Sequence, residues 1–120
     1  MLVSNLRHLR VFLAIAASHS VSGAAARCRI TQPAATQALA KLEVAAGTAL
    51  FLRMPQGLFL SPAGDNLHNR VRRAFGLLDD ALAGISERLI LTVTRAQLIA
   101  FIAVVETQNV TLAAARLGLA

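Results

Sequence analysis

Between Ser22 and Arg53 the chain reads SGAAARCRITQPAATQALAKLEVAAGTALFLR, and no other run restricts the fold as tightly. Thr31 is placed to cap a helix, with Pro33 in its first turn, where a missing N–H costs nothing. Beyond it, Ala35, Leu39, Leu42 and Ala46 share one helical face. Pro33, Thr36, Gln37, Ala40 and Lys41 share the other, with Gln32 at its flank. Gly47 ends the helix. A shorter helix, roughly Val21 to Arg27, precedes it, capped by Ser20 or Ser22, and Arg29-Ile30 form the turn between the two. Ala24, Ala25 and Cys28 make its inner face, so the longer helix can cross close by.

The flanking segments complete a small domain. A first helix from about Asn5 to Ser18 carries Leu6, Leu9, Phe12, Leu13 and Ala16 at helical spacing, with Arg7 and Arg10 off the stripe. Leu50–Arg53 and Leu58–Leu60 are short apolar runs around Met54-Pro55-Gln56-Gly57, which predicts a β-hairpin turning at Gln56-Gly57. After two helices joined by a turn, such a hairpin is a wing. Ser61-Pro62-Ala63-Gly64-Asp65 then starts a helix predicted to reach about Arg88. Its apolar positions, Leu67, Val71, Ala74, Phe75, Leu78, Ala81, Leu82, Ile85 and Leu89, form a seam at heptad-like spacing. The seam reads as a dimer interface, carried by Leu67, Val71, Phe75, Leu78, Leu82 and Ile85; the alternative is a helix packed on its own domain. Arg72, Arg73, Asp79, Asp80 and Glu87 suit its solvated face.

An internal repeat follows. At an offset of 89, Leu9, Phe12, Ala14, Val21, Ala24, Ala25, Ala26 and Arg27 recur as Leu98, Phe101, Ala103, Val110, Ala113, Ala114, Ala115 and Arg116. Ile15/Val104, Ser22/Thr111 and Ile30/Leu119 are conservative pairs. The repeat predicts helices near Arg95–Thr107 and Thr111–Leu117. Ala120 aligns with Thr31, so the second unit holds two helices without the third, as expected of the front part of a longer protein. Leu98, Phe101, Ile102 and Val105 are then expected to pack on the long helix or on a partner chain.

The expected fold class is mainly α: a winged helix-turn-helix (three helices plus a two-stranded wing) with a long dimerisation linker helix. Its units are residues 1–60, 61–90 and 91–120. The apolar content is Ala, Leu, Val and Ile rather than aromatics, which favours packed helices. The net charge of +6 sits mainly in residues 1–53, where Arg7, Arg10, Arg27, Arg29, Lys41 and Arg53 oppose Glu43 alone. Such a face attracts a polyanion by counterion release. Gln32 and Gln37 can pair with adenine through N6 and N7, and the Thr31 and Thr36 hydroxyls can hold phosphates or base edges. Pro33 keeps the helix start thin, and Ser22 stands at the start of the preceding helix. Arg29, Lys41 and Arg53 suit phosphates, fixing register without reading sequence, and the Gln56-Gly57 backbone lets the wing tip lie against a duplex.

Other classes find little support. No nucleotide loop, paired catalytic carboxylates, HExxH or nucleophile–base set is present, so an enzyme is not expected. Cys28 is single, and His8, His19 and His68 are scattered, so neither a disulfide, a zinc site nor another cofactor is expected. Cys28 reads as a small apolar residue. The longest uncharged stretch, Val11 to Ala26, is too short and polar to span a membrane, and no secretory signal opens the chain. A cytoplasmic, nucleoid-associated protein without a membrane partner is expected.

These residues closely resemble the N-terminal winged helix-turn-helix of LysR-type transcriptional regulators. The family pattern is met by Leu9-Arg10-x-Phe12, Ser22-x-Ala24-Ala25, Thr31-Gln32-Pro33-Ala34-Ala35-Thr36 and Leu42-Glu43. Gly47-x-x-Leu50-Phe51-x-Arg53 and Gly57-x-x-Leu60-Ser61-x-Ala63-Gly64 complete it. The resemblance implies a bacterial homodimer joined by linker helices, in a family whose dimers often pair into tetramers, with recognition helices in the major grooves of double-stranded DNA and wings on the flanking backbone. It implies a small-molecule effector only where a further C-terminal domain supplies the site. Three features depart from the pattern: Cys28 where leucine is usual, Gln37 where arginine is common, and a second helix-turn-helix start in place of an effector domain's first strand. The reading from sequence is a sequence-specific DNA-binding transcriptional regulator. The alternative is a helical dimerisation or protein-interaction module without specific DNA binding.

Overall fold

The computed structural model describes residues 5–118. The first unit holds α1 (Leu6–Ser18), α2 (Val21–Cys28), α3 (Gln32–Ala46) and an antiparallel hairpin of β1 (Phe51–Met54) and β2 (Gly57–Leu60). Then come α4 (Pro62–Ala83), α5 (Glu87–Thr92), α6 (Arg95–Thr107) and α7 (Val110–Arg116). Capping sets these starts. The side chains of Asn5, Ser20, Thr31 and Ser61 each accept a first-turn N–H. Of the two candidate caps for α2, it is Ser20 whose Oγ takes the Gly23 N–H, at 2.9 Å; Ser22 is exposed within the helix.

One core holds the first unit together. Leu9, Val11, Phe12 and Ile15 of α1 meet Ala24 and Ala25 of α2 and Ala35, Ala38 and Leu42 of α3. Burying a side chain the size of Phe12 contributes about 1.5–3 kcal/mol. Its ring meets Phe51 of the wing at 5.4 Å and His68 of α4 at 6.3 Å, so three elements close over one residue.

The seam on α4 is spent differently from the expectation. Val71 and Phe75 are buried in this same core, and Leu67 and Leu78 pack half-buried against it. Leu82 is buried as well. Val71, Phe75, Leu67 and Leu78 face the chain's own first unit because they pack on the core that α1 and the wing also build. The outward face carries Ala74, Leu77 and Ala81, with Leu77 78% exposed. The helix is also shorter than predicted. It ends at Ala83, where Gly84 weakens it and Ser86 turns extended to start α5. Ile85 therefore lies in the break, exposed, and not on a helical seam. Asp79, expected to be solvated, pairs instead with Arg10, whose two guanidinium nitrogens donate to its carboxylate at 2.6 and 3.1 Å. Arg10 also lies over the Phe75 ring, 4.4 Å from its centroid.

The hairpin turn is Pro55-Gln56, one residue earlier than predicted, because Met54 pairs with Gly57. Gly57 is the first residue of β2 and has φ +130°. A Cβ there would lie 2.5 Å from the His19 carbonyl oxygen, which accepts the Leu58 N–H at 2.9 Å. Glycine is needed at this place to let the wing dock on the α1–α2 corner. Gly64 has a similar duty, since a Cβ would overlap the Leu50 carbonyl oxygen.

The repeat is visible in the fold. Ser18 Oγ lies 2.8 and 3.0 Å from the carbonyl oxygens of Ala14 and Ser20, and Thr107 Oγ1 lies 2.7 and 3.0 Å from those of Ala103 and Asn109, so each hydroxyl proton is shared between two acceptors. His19 and Gln108 both take the left-handed conformation, and Ser20 and Asn109 both cap the next helix. α6 has the bounds expected, and α7 starts one residue early. Leu119 and Ala120 lie outside the described residues. Phe101, Ile102 and Val105 remain exposed, so they do not pack on α4. Among the described residues, no third helix, wing or long helix closes over this pair.

Candidate nucleic-acid interface

The α2–α3 turn is made by Arg29 in the left-handed region, φ 56°. Its N–H and that of Ile30 bond back to carbonyls at the end of α2, which brings the chain round sharply. Thr31 Oγ1 then accepts the Ala34 N–H at 3.2 Å, and Pro33 occupies the first turn of α3. The start of the helix is therefore narrow, closed and exposed.

Gln32, Pro33, Thr36 and Gln37 together line a shallow surface depression on α3, and Lys41 continues the same exposed face. The opposite face is fixed by burial of Ala35, Ala38 and Leu42, so the helix cannot rotate without losing its core contacts. Ala38 extends the inward face beyond the sequence reading, and Leu39 is only half-buried. Ser22 and Arg29 are exposed on the preceding helix and turn, and Arg53 and Gln56 are exposed on the wing. Gly57 is half-buried against the His19 carbonyl, so its lack of a side chain serves wing docking.

Contacts outside the sequence reading set the electrostatics and the pose. Glu43, the one acid in residues 1–53, turns its Oε2 to the Leu50 N–H at 2.6 Å and so joins the end of α3 to the start of the wing. His19 stacks on Phe59 at 4.4 Å and donates through Nδ1 to the Leu58 carbonyl, 3.1 Å away. Ser61 donates to the Ala49 carbonyl while capping α4. Two ion pairs form among the described residues, Arg10–Asp79 and Arg116–Glu106. Among the described residues, Arg7, Arg27, Arg29, Lys41 and Arg53 form no ion pair. Burial, then the charges of Lys41 and Arg7, holds the His8 imidazole below its ordinary value, so it stays neutral at pH 7. Burial pushes the Cys28 thiol up, against the opposing pull of Arg10 and Arg27. The thiol stays protonated at neutral pH, as befits a half-buried packing residue rather than a reactive one. Among the described residues, no helix is long and apolar enough to cross a membrane.

A thin helix start with amides and a hydroxyl facing out, flanked by unpaired cations on a turn and a wing, fits the major groove of a duplex. Known proteins are similar to this chain in sequence and in fold. Residues 6–65 match the model of the family described as "Bacterial regulatory helix-turn-helix protein, lysR family". The HTH-type transcriptional regulator BudR of Klebsiella aerogenes is 36% identical over 77 residues, which cover 64% of this chain and 54% of BudR. The chain thus spans about half the length of that relative. The DNA-binding domain of CbnR, solved as a DNA complex, superposes with a TM-score of 0.57 at 31% identity, covering 62% of this chain and 86% of that one. The BenM DNA-binding domain, solved with the catB site 1 DNA, gives a TM-score of 0.60 at 26% identity, covering 70% and 93%. On the matched residues and the shared fold, the chain belongs to the lysR family of bacterial regulatory helix-turn-helix proteins.

Proposed function

We propose that this chain is the DNA-reading part of a sequence-specific transcriptional regulator acting in the cytoplasm on the nucleoid. The observation that carries the reading is the split of α3, with Ala35, Ala38 and Leu42 buried and Gln32, Pro33, Thr36 and Gln37 exposed side by side. The first two turns enter the major groove, where Gln32 and Gln37 address base edges and Thr31 and Thr36 hold phosphates or bases. Arg29, Lys41, Arg53 and the start of α2 at Ser22 meet the backbone, and the wing tip at Gln56 lies along it. Two protomers pair through α4. The outward residues Ala74, Leu77 and Ala81 replace the buried Val71, Phe75 and Leu82 as the contact surface.

Salt titration of duplex binding tests the assignment. Each of Lys41→Ala and Arg53→Ala weakens all duplexes alike and lowers the salt slope by about one unit. An unchanged slope in both variants removes these residues from the interface.

A further inference from the structure

A second site lies beside the α2–α3 turn, lined by none of the exposed α3 side chains Gln32, Pro33, Thr36 and Gln37. A cleft of about 1080 Å³ opens between the start of α1, the turn at Cys28–Ile30, the end of α4, α5 and the start of α6. Its charged lining is Arg7, Arg10, Arg29, Arg88 and Arg95 against Glu87. Arg10 is consumed by Asp79. The other four guanidiniums form no ion pair among the described residues, and neither does Glu87. Arg7, Arg88 and Arg95, with Arg29 shared with the duplex backbone, give the cleft a positive potential that an entering anion relieves.

Two further features of the lining define that anion. The N-termini of α1 and α6 both reach the cleft, through Asn5–Arg7 and Thr94–Ala96. The Thr94 and Gln97 side chains satisfy each other's backbone N–H groups, but the N–H groups of Arg95 and Ala96 have no intrahelical acceptor. They add fixed positive potential where Arg95 stands. The rest of the wall is aliphatic, with Leu6, Ile30, Ile90 and Val93 among its residues. A bare inorganic ion would leave that wall wet, and a neutral apolar molecule would leave the guanidiniums unpaired.

We propose that this cleft binds a small organic anion, a carboxylate or phosphate ester on a short aliphatic frame. The acid group meets Arg88, Arg95 and the start of α6, and the frame lies on Ile30 and Val93. The site goes beyond the reading of DNA by α3 and stands without it. It also adjoins that machinery, because Ile30 directly precedes the Thr31 cap.

Calorimetric titration of the full chain at fixed ionic strength tests this, with hexanoate, hexyl phosphate, inorganic phosphate and 1-hexanol as probes. At least one hexyl acid is expected to bind saturably and more tightly than both inorganic phosphate and the alcohol; the tighter of the two acids tells carboxylate from phosphate ester. The Arg88→Ala/Arg95→Ala double variant weakens that binding about tenfold or more, the effect of losing charge-assisted hydrogen bonds. Glu87→Gln tightens it, a gain that misfolding cannot imitate. Duplex affinity of the double variant stays at the wild-type value. The proposal is overturned if neither hexyl acid saturates, or if the alcohol or inorganic phosphate binds as well. It is equally overturned if Glu87→Gln has no effect, or if the double variant loses duplex affinity, which would make the cleft part of the duplex footprint.

Discussion

Phe12 and Phe101 hold the same place in two helix pairs of the same design, yet Phe12 is fully buried and Phe101 is 66% exposed. The α1–α2 and α6–α7 corners share a left-handed residue, a capping side chain and a bridging hydroxyl. Small residues bring each pair together, with Ala24 and Ala113 both buried. The pairs differ in what lies over them. The first is closed by α3, the wing and α4. The second leaves Phe101, Ile102, Val105, Val110 and Leu112 exposed. Local chemistry thus suffices to make a helical corner, while a core needs elements from further along the chain.

The comparison breaks most easily at its two phenylalanines. Phe12→Ala should cost about 3–5 kcal/mol in chemical denaturation, because it empties a site walled by α1, the wing and α4. Phe101→Ala should stay within about 0.5 kcal/mol, as an exposed substitution does. Equal losses would show that the second pair has a core of its own in solution.

Next in size is the fastening of α4 to the first unit. Arg10→Ala or Asp79→Ala should each destabilise by about 1–3 kcal/mol, since each strands a partly buried partner and Arg10 also leaves the Phe75 ring. The double variant should cost less than the sum of the two singles. Strict additivity in the same denaturation experiment would mean that the pair does not act as a unit.

A smaller effect separates folding from binding. Arg29 pays for a left-handed backbone, and Arg29→Gly should stabilise the first unit by up to about 1 kcal/mol. The same change should weaken duplex binding, because it removes a cation proposed to meet a phosphate. Thermal melting and fluorescence anisotropy should therefore move in opposite senses; a melt that drops would show that the Arg29 side chain is needed for the turn itself.

Much of the first unit was legible in sequence because its signals are local. Thr31, Pro33 and Gly47 mark the bounds of α3, and the alternation of small apolar and polar residues tells its faces apart. The repeat likewise placed α6 and α7, whose caps lie within a few residues. What escaped depends on contacts distant in sequence. A heptad-like stripe on α4 has the same spacing whether it meets a partner or its own core, and only the presence of Phe12 and Phe51 beneath it decides. Asp79 pairs with a residue 69 positions away, which no helical pattern reveals. Gly57 read as part of a turn whose backbone lies against a duplex, although a Cβ there would meet the His19 carbonyl of another element. The break at Gly84 was signalled by glycine and serine alone, and the strong apolar period ran over them. Of the candidate interface, the four side chains on the start of α3 were foreseen together, whereas Glu43 and His19, which set the pose of the wing, were not.

The central claim is that the complete unit, through the start of α3, reads DNA sequence. Selection from a random duplex library with the wild-type chain and Gln32→Ala tests it most directly. The account predicts that the wild type enriches a defined motif, and that Gln32→Ala relaxes the choice at one base pair with a loss of about 1–3 kcal/mol on the preferred site. An identical motif at unchanged affinity in Gln32→Ala, or no enrichment by the wild type, would contradict it.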